Sequence, residues 1–178
     1  MDFSLRKANP DDRPAIARLI ELSARALSLE DYTGPQIEAA VRSVFGVDSD
    51  LIFDATYFVA EASGILVGCG GWSKRRTLFG GDQFAHRRAD SLDPLREAAR
   101  IRAFFVHPEW TRKGIARAIL ERCEAEARAS GFHMLALMAT LPGLKLYRAL
   151  GYTESERVTY DLGGGVSIDF VPMTKSLR

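Results

Sequence analysis

The stretch Phe104-Phe105-Val106-His107-Pro108-Glu109-Trp110-Thr111-Arg112-Lys113-Gly114-Ile115-Ala116-Arg117 concentrates the chemistry of this sequence. An apolar run stops at His107-Pro108, and an amphipathic helical pattern begins at about Lys113. The first turn of a helix presents backbone N–H groups that have no internal partner, at the positive end of the helix dipole. Such a terminus binds phosphate. Gly114 and Ala116 keep that turn small, so an anion can approach the backbone, and Arg112 and Lys113 add charge suited to a diphosphate. A solvated basic cap is the plain alternative. Two adjacent cations oppose the dipole there, however, unless an anion offsets them. Other phosphate motifs are missing: there is no GxxxxGK(S/T) and no GxGxxG after a strand.

No metal chemistry is expected. His86, His107 and His133 share no helix face, and His107 reads as a turn residue before Pro108. Cys69 and Cys123 sit in no ligand spacing and read as buried, reduced thiols. With 24 basic against 23 acidic residues the formal charge is +1, which argues against a protein built mainly to grip nucleic acid. The N-terminus has no apolar leader and no run approaches membrane length, so a cytoplasmic protein with no membrane partner is expected. A chain of 178 residues fits a single domain over 1–178, large enough to bury a core without a staple.

The elements that must hold these residues follow from periodicity. Phe3 to Ala8 reads as a first strand. Ile16, Leu19, Ile20, Ser23 and Leu27 give a helix over about Arg13 to Leu27, and Gly34-Pro35 opens a second helix. Thr56 to Glu61 and Ile65 to Trp72 flank the turn Ser63-Gly64 as a hairpin. Gly68, Gly70 and Gly71 inside the second of these strands suggest a bulge or a close approach. Lys74 to Ala98 is a long polar loop, basic at Lys74-Arg75-Arg76 and His86-Arg87-Arg88. It reads either as a lid over a pocket or as a mobile solvated loop. Ile101 to Val106 is a strand, Lys113 to Ser130 a helix, and His133 to Ala139 a buried strand. Pro142 starts a helix that Gly151 ends, and Tyr152 to Tyr160 with Val166 to Met173 form a last hairpin. The order β-αα-ββ-β-α-β-α-ββ is a mixed α/β layer.

Thr111-Arg112-Lys113-Gly114-Ile115-Ala116 resembles the Q/R-x-x-G-x-G/A motif of the GNAT superfamily of N-acetyltransferases. Val106 to Trp110 is similar to its lead-in, and Leu146-Tyr147-Arg148-Ala149-Leu150-Gly151-Tyr152 resembles its second signature. The resemblance implies a central, mostly antiparallel sheet of six to seven strands with helices on both faces. It also implies acetyl-CoA as co-substrate, with no metal, and direct transfer to the primary amine of a small molecule or peptide. Phe104, Phe105 and Val106 would lie along the pantetheine arm, with the backbone of Phe104 and Val106 pairing to it. Thr111, Arg112, Lys113, Gly114, Ile115, Ala116 and Arg117 would hold the diphosphate. Tyr147 would be the acid that protonates the departing thiolate, a reasonable match for a phenol with a pKa of roughly 10. Homodimers are common in the family.

The chain departs from that pattern at Thr111, where Gln or Arg is usual, and at Thr140, where Asn is frequent. Arg100 stands where several members place a basic Glu, and Arg102 follows. Either a nearby carboxylate such as Glu97 or Glu61 removes the amine's proton through water, or the amine arrives neutral. Arg100 and Arg102 could grip an acid group on the acceptor, or they could be a solvent-facing residue and a structural ion pair. Two other functions stay open. One is an inactive CoA-binding sensor or partner module. The other is an acetyltransferase whose target is tRNA or a protein.

Overall fold

The computed structural model describes residues 2–177. Its strands are β1 (Ser4–Lys7), β2 (Tyr57–Ala62), β3 (Ile65–Ser73), β4 (Ala99–Val106), β5 (Met134–Thr140), β6 (Thr153–Glu154), β7 (Val158–Asp161) and β8 (Ser167–Ser176). They form one sheet in the order β1-β2-β3-β4-β5-β8-β6, with β7 also on β8. Every pairing is antiparallel except β4 with β5. The helices are α1 (Arg13–Leu27), α2 (Gly34–Ser43), α3 (Ser49–Phe53), α4 (Ile115–Ala129) and α5 (Leu144–Ala149). The mixed fold and helices on both faces match the expectation. The sheet has eight strands rather than six or seven. The stretch expected as one strand from Tyr152 to Tyr160 is broken at Ser155–Arg157 into β6 and β7, both on β8.

Local chemistry explains the helices that matter for the site. Along α1 the buried residues Ile16, Leu19, Ile20, Ser23 and Ala24 make one stripe at helical spacing. Thr33 caps α2, in a reciprocal arrangement with Gln36, and Pro35 sits in the first turn where its missing N–H is harmless. The short α3 carries no readable period. It exists because Asp48 caps it, accepting from the Leu51 N–H at 3.4 Å. Two cores result. Ile115, Ile119, Leu120 and Cys123 of α4 pack on one face of the sheet with Tyr147 and Tyr152. Helices α1 to α3 pack on the other through Ile16, Ile20, Ile37 and Leu51.

The glycines of β3 serve close approach. A Cβ on Gly68 would come within 2.4 Å of Ile115 Cγ2, and one on Gly70 within 2.7 Å of the Phe104 ring. On Gly71 it would meet the Thr56 carbonyl oxygen at 2.7 Å. The pairing also slips, between Ala60 and Glu61 on β2 and between Cys69 and Gly71 opposite β4. Bulge and close approach therefore coexist. Both cysteines are buried and unbridged. Among the described residues no helix is long and apolar enough to cross a membrane.

Gly68→Ala should be felt as overpacking between β3 and α4, since Ile115 must move. A loss of about 1–3 kcal/mol is expected in urea denaturation.

Candidate active site

Two strands that separate make the site. β4 and β5 are paired only at Ala99 with Leu135 and Arg100 with Ala136. Past that point they diverge. The β4 backbone from Arg102 to Val106 pairs with β3 on one side and has no strand on the other. A bulge sits in this stretch, where Ala103 takes φ 59°. Arg100, Arg102, Ala103 and Phe105 then belong to the α1–α3 side, whereas Ile101, Phe104 and Val106 belong to the α4 side. The uninterrupted strand expected from Ile101 to Val106 is thus kinked where it meets the opening.

A cleft of about 660 Å³ occupies that opening. Its walls are Phe104–Val106 of β4, the loop and first turn of α4, Thr140 to Gly143, α5, and the last turns of α1. At the α4 end, Arg112 has φ 61° and Gly114 φ 83°, both left-handed. Left-handed residues of this kind occur in the backbone of anion-binding loops, and Thr111, Arg112 and Gly114 line the cleft here. Gly114 caps α4 without a side-chain hydrogen bond, and the first helical bond closes from the Ala118 N–H to the Gly114 carbonyl. The N–H groups before it have no helical partner. A Cβ on Gly114 would meet nothing within 4 Å, so glycine is needed there for its dihedral angle rather than for packing.

The predicted site residues fall into distinct groups. Phe104, Phe105, Val106, Thr111, Arg112, Gly114, Ile115, Ala116 and Arg117 all line the cleft, as does Tyr147. Lys113 does not. Its ammonium sits 4.3 Å above the Trp110 ring and donates to the Glu109 carbonyl at 2.8 Å. The Thr111 hydroxyl donates to the Pro108 carbonyl, tightening the loop. His107 Nδ1 accepts from the Glu109 N–H, which makes it the turn residue that its position suggested. Ser23 adds a contact that site reasoning missed. Its Oγ accepts from the Val106 N–H at 3.3 Å. The signal was there: a polar residue repeating on the apolar stripe of α1.

Tyr147 lies where the cleft meets a smaller chamber of about 70 Å³. Phe45, Phe104, Phe105 and Thr140 line both spaces. The Tyr147 ring packs edge-on against Phe104 and Tyr152. Burial raises its phenol well above the usual value, so it keeps its proton at neutral pH.

The loop 74–98 is neither a detached lid nor a solvated excursion. It folds back on itself through the Thr77 and Arg88 backbones and through Arg76 with Asp90 and Glu97. Arg75 is clamped by Asp54 at 2.7 Å, and Arg87 by Asp48 and Asp50. Phe79 and Phe84 pack with Tyr160, and Phe79 also meets Phe170. The tip, Phe79 to Gly81, becomes a chamber wall.

Of the alternatives left open for Arg100, Arg102, Glu61 and Glu97, the structure favours a structural ion pair at Arg102 and ties both carboxylates elsewhere. Arg102 lines the chamber, but its side chain is sealed: Nε lies 3.3 Å from Asp48 Oδ2, and Nη1 donates to the Thr77 carbonyl. Arg100 is half-buried and lines neither space. Arg102 is therefore paired away from an acceptor, and Arg100, which has no ion-pair partner among the described residues, opens into neither space. Glu61 is held by Arg6 on the rim of a different groove, and Glu97 is tied to Arg76, so neither is placed as a base. Among the described residues no His, Cys, Asp and Glu cluster could hold a metal.

Comparison with known proteins adds context. A family model described as an acetyltransferase (GNAT) domain matches residues 53–154, more than half of the chain. No curated protein matches the sequence. Among solved structures, a GCN5-related N-acetyltransferase from Rhodopseudomonas palustris is similar, with TM-score 0.72, 21% identity and coverage of 99% of this chain and 96% of that one. The PaiA N-acetyltransferase from Thermoplasma acidophilum, in complex with coenzyme A, gives 0.67 at 16% identity, covering 99% of each chain. The protein yncA from Salmonella typhimurium, with its cofactor acetyl-CoA, gives 0.65 at 20% identity, covering 100% of this chain and 95% of that one.

Asp48→Ala should leave the Arg102 charge buried without its counterion and Arg87 with Asp50 alone. A loss of about 3–5 kcal/mol is expected in denaturant titrations. Asp54 supplies a pH test. Hydrogen bonds from Arg75 hold its carboxyl below the usual value. A depressed folded pKa means that this stabilisation is complete above the unfolded carboxylate range and drains away as pH falls through the folded value. Asp54→Asn should therefore lower stability at neutral pH and flatten its decline in acid.

Proposed function

The chain belongs to the GNAT family of acetyltransferases, and on that premise we propose that it transfers an acetyl group from acetyl-CoA to the primary amine of a small molecule. The observation that carries the reading is the position of Tyr147, a buried and protonated phenol at the junction of a long cleft and a small chamber. The cleft suits the donor. It offers an unpaired strand edge at one end and a left-handed turn opening a helix at the other. Bound there, acetyl-CoA supplies an activated acetyl thioester.

The chain's own groups then have separable tasks. The left-handed turn at Arg112 and Gly114, with Ile115, Ala116 and Arg117, holds the diphosphate on backbone N–H groups and one guanidinium. Thr111 needs no longer side chain for this, because the contacts are mainly to the backbone. Phe104, Phe105 and Val106 orient the pantetheine arm as an added strand would be oriented. That pairing takes the Val106 N–H away from Ser23, which makes the Ser23 hydroxyl a placeholder for the ligand. Thr140, facing both spaces, stands beside the reacting end. Tyr147 gives its proton to the leaving sulfur. Much of the rate would come from holding thioester and amine in contact on either side of Phe104 and Tyr147.

Acetyl-CoA at about 100 times its Kd should stabilise the fold by roughly 2.7 kcal/mol, raising Tm by about 5–10 °C. Tyr147→Phe should keep that rise while kcat falls by on the order of 10²-fold. A clean apoprotein whose Tm does not move defeats the reading.

A further inference from the structure

Tyr147 has to present its hydroxyl to one point, and no hydrogen bond holds that hydroxyl in place. Among the described residues the phenol oxygen has no partner. Its direction is therefore set by the ring, and two other rings bear on it. Phe104 of β4 meets it edge-on, with centroids 6.4 Å apart. Tyr152 meets it edge-on at 5.6 Å, and the Tyr152 N–H donates to the Tyr147 carbonyl at 3.0 Å.

Tyr152 is buried and is itself pinned. Its hydroxyl donates to Glu124 Oε1 at 2.9 Å. Lys175 Nζ donates to both oxygens of that carboxylate, at 2.9 and 2.8 Å, and sits 5.4 Å from the centre of the Tyr152 ring. The Glu124 and Lys175 side chains are 13% and 24% exposed, so salt screens this pair less than a surface pair. The three residues come from three places: Glu124 from α4, Lys175 from β8 and Tyr152 from the turn after α5. A phenylalanine ring would fill the same core, and what the Tyr152 hydroxyl adds is a fixed position. Glu124 also shares α4 with Ala116, about 12 Å away along the helix axis. One rigid helix thus joins the turn at the donor cleft to the pin beside Tyr147.

We infer that Tyr152, pinned by Glu124 and Lys175, is a positioning residue that holds the Tyr147 ring where its proton reaches the leaving sulfur. The inference rests on the acetyltransferase reading, in which Tyr147 is the acid. A phenol that swings spends only part of its time in line with the sulfur, and a misplacement of about 1 Å can cost about 10²-fold in rate. Tyr152, Glu124 and Lys175 line neither the cleft nor the chamber, so their effect on the reaction runs through Tyr147.

The variants are Tyr152→Phe, which keeps the ring and cuts the pin, and Glu124→Gln, which keeps an acceptor for the Tyr152 hydroxyl and loses the charge pair. With acetyl-CoA and propylamine, Tyr152→Phe should lower kcat by about tenfold and change KM for acetyl-CoA by less than about twofold. Glu124→Gln should fall between it and the native protein. In a Tyr147→Phe background Tyr152→Phe should cost less than about twofold, because the group it positions is gone. A second readout needs no acceptor. Tyr147 Cζ lies on the axis of ring flips, so its ¹³C relaxation dispersion reports displacement of the ring rather than flipping. With acetyl-CoA bound, Tyr152→Phe should show μs–ms exchange at this carbon that the native protein lacks, and this arm decides where propylamine is not turned over. A kcat unchanged in Tyr152→Phe, or an equal loss in both backgrounds, overturns the inference. So does Cζ exchange that is the same in native protein and variant. A Tm that does not respond to acetyl-CoA removes the acetyltransferase reading, and the inference falls with it.

Discussion

Unpaired backbone in the middle of a sheet is the constraint on which the site depends. Interior strands normally satisfy each other, and a buried amide without a partner costs about 1–3 kcal/mol. Here β4 and β5 share two residue pairs and then part. Side chains take over some of the lost pairing. The Val106 N–H donates to Ser23 from α1, and the Leu141 N–H, just past β5, donates to the Tyr32 hydroxyl. Tyr32 donates in turn to the Asp169 carbonyl at 2.6 Å, tying the turn after α1 to β8. The helical layer thus braces a gap that the sheet cannot close.

The bulge at Ala103 is the second consequence. A non-glycine residue in the left-handed region costs roughly 1–2 kcal/mol. It gains a change of side: Ala103 joins Arg102 on the α1–α3 side, and Phe104 is released to the α4 side to lie over Gly70 and against Tyr147. Without it, strict alternation would send Phe104 to the α1–α3 side and Ala103 to the α4 side.

A third feature is how strongly charged material makes a wall whose charges are matched. The loop 74–98 looks basic in one dimension, yet in three its arginines are matched by carboxylates from α3, its capping residue Asp48 and the loop itself. Buried pairs of this kind add little net stability over apolar packing, but breaking one is costly. Their role here is positional. They fix Phe79 to Gly81 against β8 and hold Arg102 turned toward Asp48.

The sequence by itself determined most of the element order, the tight turn that opens α4 and the helix bearing Tyr147, because these rest on local chemistry: helical periodicity, capping residues, and glycine where φ is positive. The close approaches at Gly68 to Gly71 were legible for the same reason. The short α3 and the break between β6 and β7 were not, since a few residues carry no period. Nor could spacing say that Lys113 folds onto Trp110, that Asp48 claims Arg102, or that Glu61 and Glu97 are engaged elsewhere. Those facts join residues such as Asp48 and Arg102 across the chain. Only the tertiary structure decided them, because which charges meet depends on how sheet, loop and helices pack, and a charge pattern read in one dimension does not encode its partners.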